Sequence, residues 1–565
     1  MKKTTIIFSI ALFLSTCLSA FDETEYQSGG KISALQAAYD VNYYEIHLKI
    51  DPTTKSISGY TDIRVKPLIK NLQKLEIDLI SAYEISHIWI NNIECEYRRR
   101  HHKIIIHIPG AAQGLKTITA RIEYSGKPPE AKNPPWDGGF NWSRDASGNP
   151  WIGVTCQGEG GKIWWPCKDH PSDEPDSVAM FFTVPKPLVV ASNGVLVNIS
   201  DADEGWHTYH WKTQSPINNY CVTLNVANYI ERRRTYHGEK DMDIVFYVLK
   251  DAVDGADSLL EQTDNMLKFY AKHFGEFPYI KEKFGLAQSD YLGMEHQTMN
   301  SYGNNYVNTN LGYDFLLFHE MAHEWWGNYL TADDWADLWL HEGTAIYVEG
   351  LFIEETYGSE EYIKFFLQTV KPKIQNNQAI VPTRNATSSE VYTSDIYFKG
   401  AYVLHMLRYL MGKEAMDSLL YRLVQEEKRL PQNHIITDDF IKLVGEYYTK
   451  DLQWFYNHYL YSKDIPILNI SEIKSDTSVT LTAFWEPKGF QMPLEIELIE
   501  EGNSRRERLP VTDQSQIFSF SNAEDIEIDP DNWLLYKTSK DGNSKTTVMW
   551  GAGAVTTMLI ILLLL

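Results

Sequence analysis

Two histidines four residues apart, His319 and His323, stand in the run LLFHEMAHEWWGN. On an α-helix, residues four apart share one face, with Cβ atoms about 5–6 Å apart, so both imidazoles can reach a single metal ion. Glu320 lies between them in the sequence and can act as a general base on a water molecule that this metal activates. The run therefore predicts a helical metal site with His319 and His323 as ligands.

A third ligand is needed, because two histidines with an intervening glutamate also arise by chance. Glu342 follows His323 by nineteen residues, in the run WADLWLHEGTAIYVEG. One of Thr331, Asp333 and Asp334 can open a second helix that brings Glu342 back to the histidines. Two histidines and one glutamate leave the fourth position of a tetrahedral zinc open, as in catalytic sites. One Zn²⁺ per chain is the predicted cofactor.

The composition narrows the class of protein. The chain has 565 residues, of which 43% are hydrophobic and 22% charged, as in a globular protein of several domains. Its formal net charge of −23 argues against a nucleic-acid partner, since no basic field would offset the phosphates. The oligomeric state stays open.

The beginning of the chain predicts export. Residues 1–20 contain two lysines, an apolar run and small residues near a possible cleavage point, which is typical of a signal peptide. Lipidation at Cys17 is an alternative that the sequence leaves open. The later cysteines are Cys95, Cys156, Cys167 and Cys221. Export permits disulfides, and the three possible pairings of these four cysteines stay open.

Hydrophobic periodicity divides the rest of the chain. Residues 21–235 alternate apolar and polar side chains and predict an N-terminal antiparallel β-domain. Residues 236–465 are mostly helical in pattern, and residues 466–537 return to strands, which predicts a small C-terminal β-sandwich domain. A polar linker at 538–547 then leads to an apolar tail at 548–565. The expected fold class is multidomain α+β.

The apolar tail predicts a membrane partner. Residues 548–565 carry no charged side chain, and as a helix they would measure about 27 Å, close to the roughly 30 Å of a bilayer core. The tail is either a retained transmembrane anchor or a removed lipid-anchor signal. With the signal peptide, it predicts an exported, membrane-associated protein whose catalytic domain is extracytoplasmic.

Five segments, in the same order, resemble the zinc aminopeptidase family that includes aminopeptidase N and leukotriene hydrolase. They are CQGEGGKIWWPCKDHPS, LGMEH, HEMAHEWWGN, LWLHEGTAIYVE and VYTSDIYFKGAYVL. Two positions depart from the family pattern, with Leu292 in place of a usual glycine and His296 in place of a usual asparagine. The resemblance implies a thermolysin-like catalytic domain, of mixed α/β and helical structure, over residues 236–465.

The resemblance also implies roles for particular residues. The substrate-binding residues that it implies are Gln157, Gly293, Met294, Glu295 and Tyr392. Glu295 would hold the free ammonium of a substrate through charge-assisted hydrogen bonds, with Gln157 as a neutral acceptor beside it. Tyr397 would donate a hydrogen bond to the oxyanion of the tetrahedral intermediate.

The expected function is a zinc-dependent aminopeptidase that removes the first residue from peptides with a free N-terminus. Glu320 would be its base, and Tyr397 would stabilise the oxyanion. The main alternative is a thermolysin-like zinc endopeptidase, which shares the metal ligands but has no need of Glu295 or Gln157. An epoxide hydrolase would need carboxylate-binding residues from a further helical domain. An inactive surface adhesin would not need an intact ligand set.

Overall fold

The computed structural model describes residues 26–425, 433–475 and 477–539. Strands come first, helices follow from residue 256 to 459, and strands return at residue 467, so the fold is multidomain α+β. The predicted signal peptide, the predicted tail and residues 540–547 of the predicted linker lie outside the described residues. None of the helices in the described part is both long and apolar enough to cross a bilayer.

The first region consists mainly of strands. Its strands are β1 Tyr39–Asp51, β2 Ser56–Pro67, β3 Lys74–Asp78, β4 Tyr83–Ile90, β5 Ile93–Glu94, β6 Tyr97–Arg100, β7 Lys103–His107, β8 Ile118–Gly126, β9 Gly139–Arg144, β10 Pro150–Thr155, β11 Ser177–Pro185, β12 Val189–Ser192, β13 Val195–Asp201, β14 Trp206–Lys212 and β15 Leu224–Ala227. The largest sheet has the order β13-β14-β11-β1-β2-β8-β4-β5. Buried and partly exposed residues alternate along most of β1, as expected for a strand with one face on a core.

One pairing corrects the prediction of an antiparallel domain. Strands β1 and β11 run parallel, with Tyr43 opposite Ser177, while β1 and β2 run antiparallel. A parallel pair needs a long crossover, and the more than one hundred residues between β1 and β11 provide it. Alternation of side chains is the same in both kinds of sheet, so the sequence pattern could not distinguish them.

A smaller sheet carries one wall of the cleft described below. Its order is β12-β15-β10-β9, and β10 ends two residues before Gln157. The 3₁₀ turn Asn219–Cys221 leads into β15, which pairs with β10. Residues at the ends of two paired strands are thereby held side by side.

A mixed sheet opens the second region. Its strands are β16 Ile230–His237, β17 Asp241–Val248, β18 Phe284–Gln288, β19 Gly293–Met294 and β20 Asn300–Tyr302. The order is β16-β17-β18-β20-β19, with β19 antiparallel to β20 at the edge. The parallel pair β17–β18 is joined by a helical crossover, as parallel pairs require. The predicted domain limit at residue 235 falls inside β16 and stays a prediction.

Helices form most of the second region. They are α1 Ala256–Phe274, α2 Phe315–His323, α3 Trp339–Tyr357, α4 Ser359–Lys364, α5 Ser388–Val391, α6 Ser394–Met411, α7 Lys413–Gln425, α8 Thr437–Tyr447 and α9 Gln453–Tyr459. Short strands β21 Thr331–Ala332 and β22 His434–Ile435 pair beside them. Helices α3 and α6 approach closely at Gly343 and Gly400, where a Cβ on Gly343 would lie 2.8 Å from the Gly400 backbone. Only glycine permits this contact.

The last region contains two sheets. Its strands are β23 Ile467–Ser475, β24 Ser478–Glu486, β25 Leu494–Glu500, β26 Asn503–Leu509, β27 Gln516–Ser521, β28 Asp525–Ile528 and β29 Lys537–Thr538. The orders are β27-β24-β23-β29 and β26-β25-β28. Buried residues of both sheets, such as Leu481 and Ile496, belong to the same hydrophobic core as the helices. Tyr459 donates a hydrogen bond of 2.8 Å to the Leu535 carbonyl, which ties α9 to this region.

Candidate active site

Helix α2 presents the two histidines to one point. Asp314 caps its first turn by accepting a hydrogen bond of 3.0 Å from the Leu317 amide, as a good N-cap residue does. The Nε2 atoms of His319 and His323 lie 3.2 Å apart. The Nδ1 of His323 lies 3.1 Å from the Trp326 carbonyl oxygen. An Nδ1–H donor on His323 satisfies that carbonyl and leaves Nε2 available as a metal ligand.

Helix α3 supplies the third ligand. Asp334 accepts a hydrogen bond of 3.0 Å from Ala336 in the turn that precedes α3, so one of the three predicted opening residues does cap this turn. Glu342 then falls in the first turn of α3. Its Oε2 lies 3.5 Å from the Nε2 of His319 and 3.3 Å from that of His323.

The three ligand atoms fit a zinc ion. They all lie within 4.8 Å of one another. The Oε2 of Glu342 is buried without a hydrogen-bond donor, which is costly unless a cation satisfies it. Two imidazole nitrogens and one carboxylate oxygen are the donor set of catalytic zinc, with the fourth position left for water or substrate.

The charges of these side chains also favour a cation. Burial alone would lower the pKa of His323, but the Glu342 carboxylate outweighs burial and raises it to about 10. Burial alone would raise the pKa of Glu342, but the His323 imidazole holds it well below its usual range. Both shifts mean that these side chains favour a positive charge between them, which a metal ion bound at the same atoms would supply.

Glu320 faces the cavity beside these ligands. Its side chain is 7% exposed, and a Cβ on Gly293 would lie 2.8 Å from its Oε1. Glycine at position 293 thus allows strand β19 to pass directly over this carboxylate. Burial, with Glu295 nearby, raises the pKa of Glu320 well above its ordinary value. An elevated carboxyl pKa suits a group that must take up and release a proton near neutral pH.

Glu295 forms a polar cluster at one end of the cavity. Its Oε1 accepts hydrogen bonds from the Gln157 amide and, at 3.2 Å, from the Tyr220 hydroxyl. Asn328 donates a 3.0 Å hydrogen bond to the Glu295 carbonyl oxygen and so fixes the backbone. Burial raises the pKa of Glu295 to about 7. An ammonium group placed here would favour the ionised carboxylate.

The two tyrosines continue this cluster towards the metal ligands. The Tyr392 hydroxyl donates to Gln157 Oε1 at 2.6 Å and lies 2.8 Å from the Tyr397 hydroxyl. The Tyr397 ring stacks against the His319 ring at 6.2 Å. Burial raises the pKa of Tyr397 well above its ordinary value, so its hydroxyl keeps the proton that an oxyanion would need.

The two departures from the family pattern have different surroundings. Leu292 lines the cavity and adds an apolar wall. His296 points into the core, where burial lowers its pKa to about 3. Its Nδ1 lies 3.3 Å from the Ser301 hydroxyl. His296 is therefore a neutral core residue and brings no charge to the Glu295 cluster.

One open cleft brings together every site residue that the sequence predicted. Sequence reasoning missed several residues of its wall, namely Pro135, Trp136, Phe315, Leu316, Ile346, Glu349, Thr393, Ser394 and Phe398. It also missed Tyr220. Helical spacing could have found some of them, since Phe315 precedes His319 by four residues and Ile346 follows Glu342 by four.

The cysteines need no pairing in this fold. Each of the four described cysteines is a free thiol, and three of them are buried. Cys221 lies close to the Glu295 cluster, with its Sγ 3.1 Å from the Asn328 side-chain oxygen. Burial raises its pKa well above the ordinary value, so it is an unreactive core thiol.

Comparison with known proteins identifies the family. The family model "Peptidase M1 N-terminal domain" matches residues 40–221, and "Peptidase family M1 domain" matches residues 259–459. Together they cover more than half of the chain.

Individual relatives agree with the family match. Human endoplasmic reticulum aminopeptidase 1 is 26% identical over 285 residues, which is 47% of this chain and 30% of that protein. A leucyl aminopeptidase of Saccharolobus solfataricus is 22% identical over 452 residues, which is 76% of this chain and 54% of that one. The chain spans about a third to a half of the length of such curated relatives.

A solved structure shares the fold. The M1 zinc metallopeptidase from Deinococcus radiodurans has a TM-score of 0.63 and 22% identity, covering 76% of this chain and 94% of that one. With the fit of His319, His323 and Glu342 to zinc, the family match confirms the prediction of one zinc ion per chain. The chain therefore belongs to the M1 peptidase family.

Proposed function

We propose that this protein releases the first residue from peptides that have a free N-terminus. The observation that carries the proposal is the position of Glu295. Its carboxylate, with Gln157 and Tyr220, closes one end of the cleft that contains His319, His323 and Glu342. A peptide whose ammonium is held there can present only its first peptide bond to the metal site.

The side chains divide the chemistry between them. Zinc held by His319, His323 and Glu342 would supply Lewis-acid polarisation of the substrate carbonyl and a lower pKa for water. Glu320 takes the proton of the attacking water and passes it to the leaving amine. Tyr397 donates its hydroxyl proton in a hydrogen bond to the oxyanion as charge develops there.

The rest of the cluster orients the substrate. Glu295 and the Gln157 side-chain oxygen accept hydrogen bonds from the ammonium, which fixes the distance between the N-terminus and the first carbonyl. Tyr392 bridges Gln157 and Tyr397, so the group that binds the amine and the group that meets the oxyanion are held in one network. A thermolysin-like endopeptidase would have no use for this closed end.

The test compares a free and an N-acetylated peptide of the same sequence. Acetylation removes the positive charge and adds bulk where Glu295 and Gln157 meet, so we expect release of the first residue only from the free peptide. Mass spectrometry of the products distinguishes the outcomes. Internal cleavage of the acetylated peptide at a comparable rate would overturn the proposal in favour of an endopeptidase.

We propose also that the protein is exported and attached to a membrane, with its catalytic domain outside the cytoplasm. Only the sequence supports this, through the apolar segments within residues 1–20 and 548–565. A chain ending at Lys537 should remain in the soluble fraction and keep its activity, since every proposed site residue precedes it. Release of the full-length protein from membranes by high salt alone would overturn attachment through the tail.

A further inference from the structure

The cleft has a second end, beyond the metal ligands and away from Glu295. Glu295 is tied to Asn328, which follows the C-terminal end of α2. Tyr313 precedes the N-terminal end of α2 and donates a hydrogen bond of 2.6 Å to Glu349. Glu349 follows Glu342 by seven residues on α3, about 10 Å along a helix. Glu295 and Glu349 therefore lie on opposite sides of the metal site.

Apolar side chains form the wall around Glu349. Phe315, Ile346 and Phe398 line the cleft together with Glu349. Among the described residues of the lining, none is a lysine or an arginine. A buried carboxylate in an apolar wall is costly, and a cationic ligand in the cleft would offset part of that cost.

The carboxylate of Glu349 is only partly satisfied. The structure shows one hydrogen bond to it within the described residues, from Tyr313 to Oε1. The Nζ of Lys373 lies over the ring of Phe398, 4.9 Å from its centroid. Lys373 is near enough to lower the pKa of Glu349, but no salt bridge of 4.0 Å or less joins the two in the described part of the chain. The second oxygen of Glu349 is thus left to accept a hydrogen bond from a molecule in the cleft.

We infer that Glu349 forms a subsite for a basic side chain, lysine or arginine, on the second residue of the peptide substrate. The inference rests on the proposed aminopeptidase function. With the ammonium at Glu295 and the first carbonyl at the metal site, the second residue is the first to enter this end. Its methylene groups would pack against Phe315 and Ile346, and its terminal cation would form a charge-assisted hydrogen bond with Glu349.

The experiment uses three tripeptides that share their first and third residues. The second residue is lysine, its uncharged analogue norleucine, or acetyl-lysine, which keeps the length but not the charge. For the wild-type protein, we expect kcat/KM for release of the first residue to be at least about tenfold higher with lysine than with either neutral residue, as for a hydrogen bond to a charged group.

Two variants test whether Glu349 is the source of the preference for lysine at the second residue. In Glu349→Gln the ratio of kcat/KM for lysine to norleucine should fall towards one, because the amide keeps the shape but not the charge. Glu355→Gln is the matched control, since Glu355 is on the same helix but pairs with Lys272 and His273 outside the cleft. The control should keep the wild-type ratio.

The possible outcomes separate this inference from the proposed function. Equal rates on lysine and norleucine peptides by the wild-type protein would overturn the subsite and leave the aminopeptidase intact. An unchanged ratio in Glu349→Gln would place the preference elsewhere and also overturn it. Failure to release the first residue from any free peptide would instead overturn the proposed function. Should Glu349→Gln not fold, equal rates on the lysine and acetyl-lysine peptides by the wild-type protein would still overturn the inference.

Discussion

The two ends of the cleft are built differently. At the amine end, Glu295, Gln157, Tyr392 and Tyr397 form one chain of hydrogen bonds, and Tyr220 adds a further donor. At the other end, Glu349 has a single hydrogen bond within the described residues, and apolar side chains line the cleft with it. A group held by several partners keeps its geometry, whereas one carboxylate in an apolar wall can select charge but imposes little geometry.

The difference indicates that the two ends of the cleft have separate roles. The amine of a peptide is the same whatever its sequence, so the end that binds it can be rigid and densely hydrogen-bonded. The second side chain varies between substrates, and an apolar wall with one carboxylate tolerates many of them while favouring a cation. The comparison predicts that changes at the amine end reduce turnover of all peptides, and that changes at the Glu349 end alter selectivity.

The largest expected loss of turnover comes from a change at Glu320, between the two ends of the cleft. Glu320→Gln keeps the size and packing of the side chain but removes the base, so turnover should fall by a factor of about 10² to 10⁴, as for loss of general-base catalysis. The loss should be the same for every peptide, whatever its second residue. Zinc content measured on the purified variant should equal that of the wild type. Substantial activity with zinc bound would mean that another group is the base.

Glu295→Gln should have the next largest effect. Removing one partner of a buried charge pair costs about 2–5 kcal/mol, so kcat/KM on free peptides should fall by roughly 30-fold to several thousand-fold at 1.4 kcal/mol per factor of ten. Zinc content should not change, since Glu295 is not a ligand. Kinetics close to those of the wild type on free peptides would remove Glu295 from amine binding and revive the endopeptidase alternative.

Tyr392→Phe should weaken the amine end less. The variant loses the hydroxyl that bridges Gln157 and Tyr397, and each hydrogen bond contributes about 0.5–1.5 kcal/mol, so kcat/KM should fall by about tenfold. In a Glu295→Gln background the same change should cost less, because the two residues share one network. Equal losses in both backgrounds would show that Tyr392 acts independently of Glu295.

The smallest expected effect is a pH dependence at the other end. Burial raises the pKa of Glu349 to about 7, although Lys373 lowers it in part. The carboxyl is thus ionised above pH 7 and neutral below it, and the preference for lysine over norleucine should weaken several-fold between pH 8 and pH 6. The quantity to measure is the ratio of kcat/KM for the two peptides, because titration of the catalytic groups affects both peptides equally. A constant ratio over this range would contradict the assignment.

The ionisable neighbours of Glu349 do not reverse the direction of this pH dependence. The hydroxyls of Tyr313 and Tyr270 face it, and burial raises the pKa of both well above their ordinary values, so they stay neutral. Burial lowers the pKa of Lys373 to about 8, so this ammonium becomes more fully charged as the pH falls. Its added charge disfavours protonation of Glu349, which opposes part of the loss, and it also repels a cationic side chain, which weakens the preference further.

Much of the metal site could be predicted because its information is local. His319, Glu320 and His323 lie within one helical turn or little more, and the 3.6-residue period alone places both histidines on one face. The prediction of Glu342 as a ligand needed a further condition, namely that α3 packs back against α2. The sequence indicated only which residues could cap α3. The parallel pairing of β1 with β11 could not be predicted, since alternation is the same in either direction.

The amine end shows where sequence reasoning depends on resemblance. Gln157 and Glu295 lie 138 residues apart, and no periodicity connects a residue after β10 with one after β19. Only their place in family-like segments suggested that they meet. Tyr220 lies in no such segment, and it remained unrecognised until the fold brought its hydroxyl to Glu295.

By itself, the sequence determined the elements, the metal ligands on α2 and the family, because these follow from short-range spacing and ordered motifs. The tertiary structure alone decided which residues share the cleft, that His296 is a neutral core residue, and that Glu349 stands opposite Glu295. These properties depend on packing between α2, α3 and β19, and on desolvation, which sets the charge of a buried group. Neither packing nor desolvation is encoded in the spacing of residues along one element.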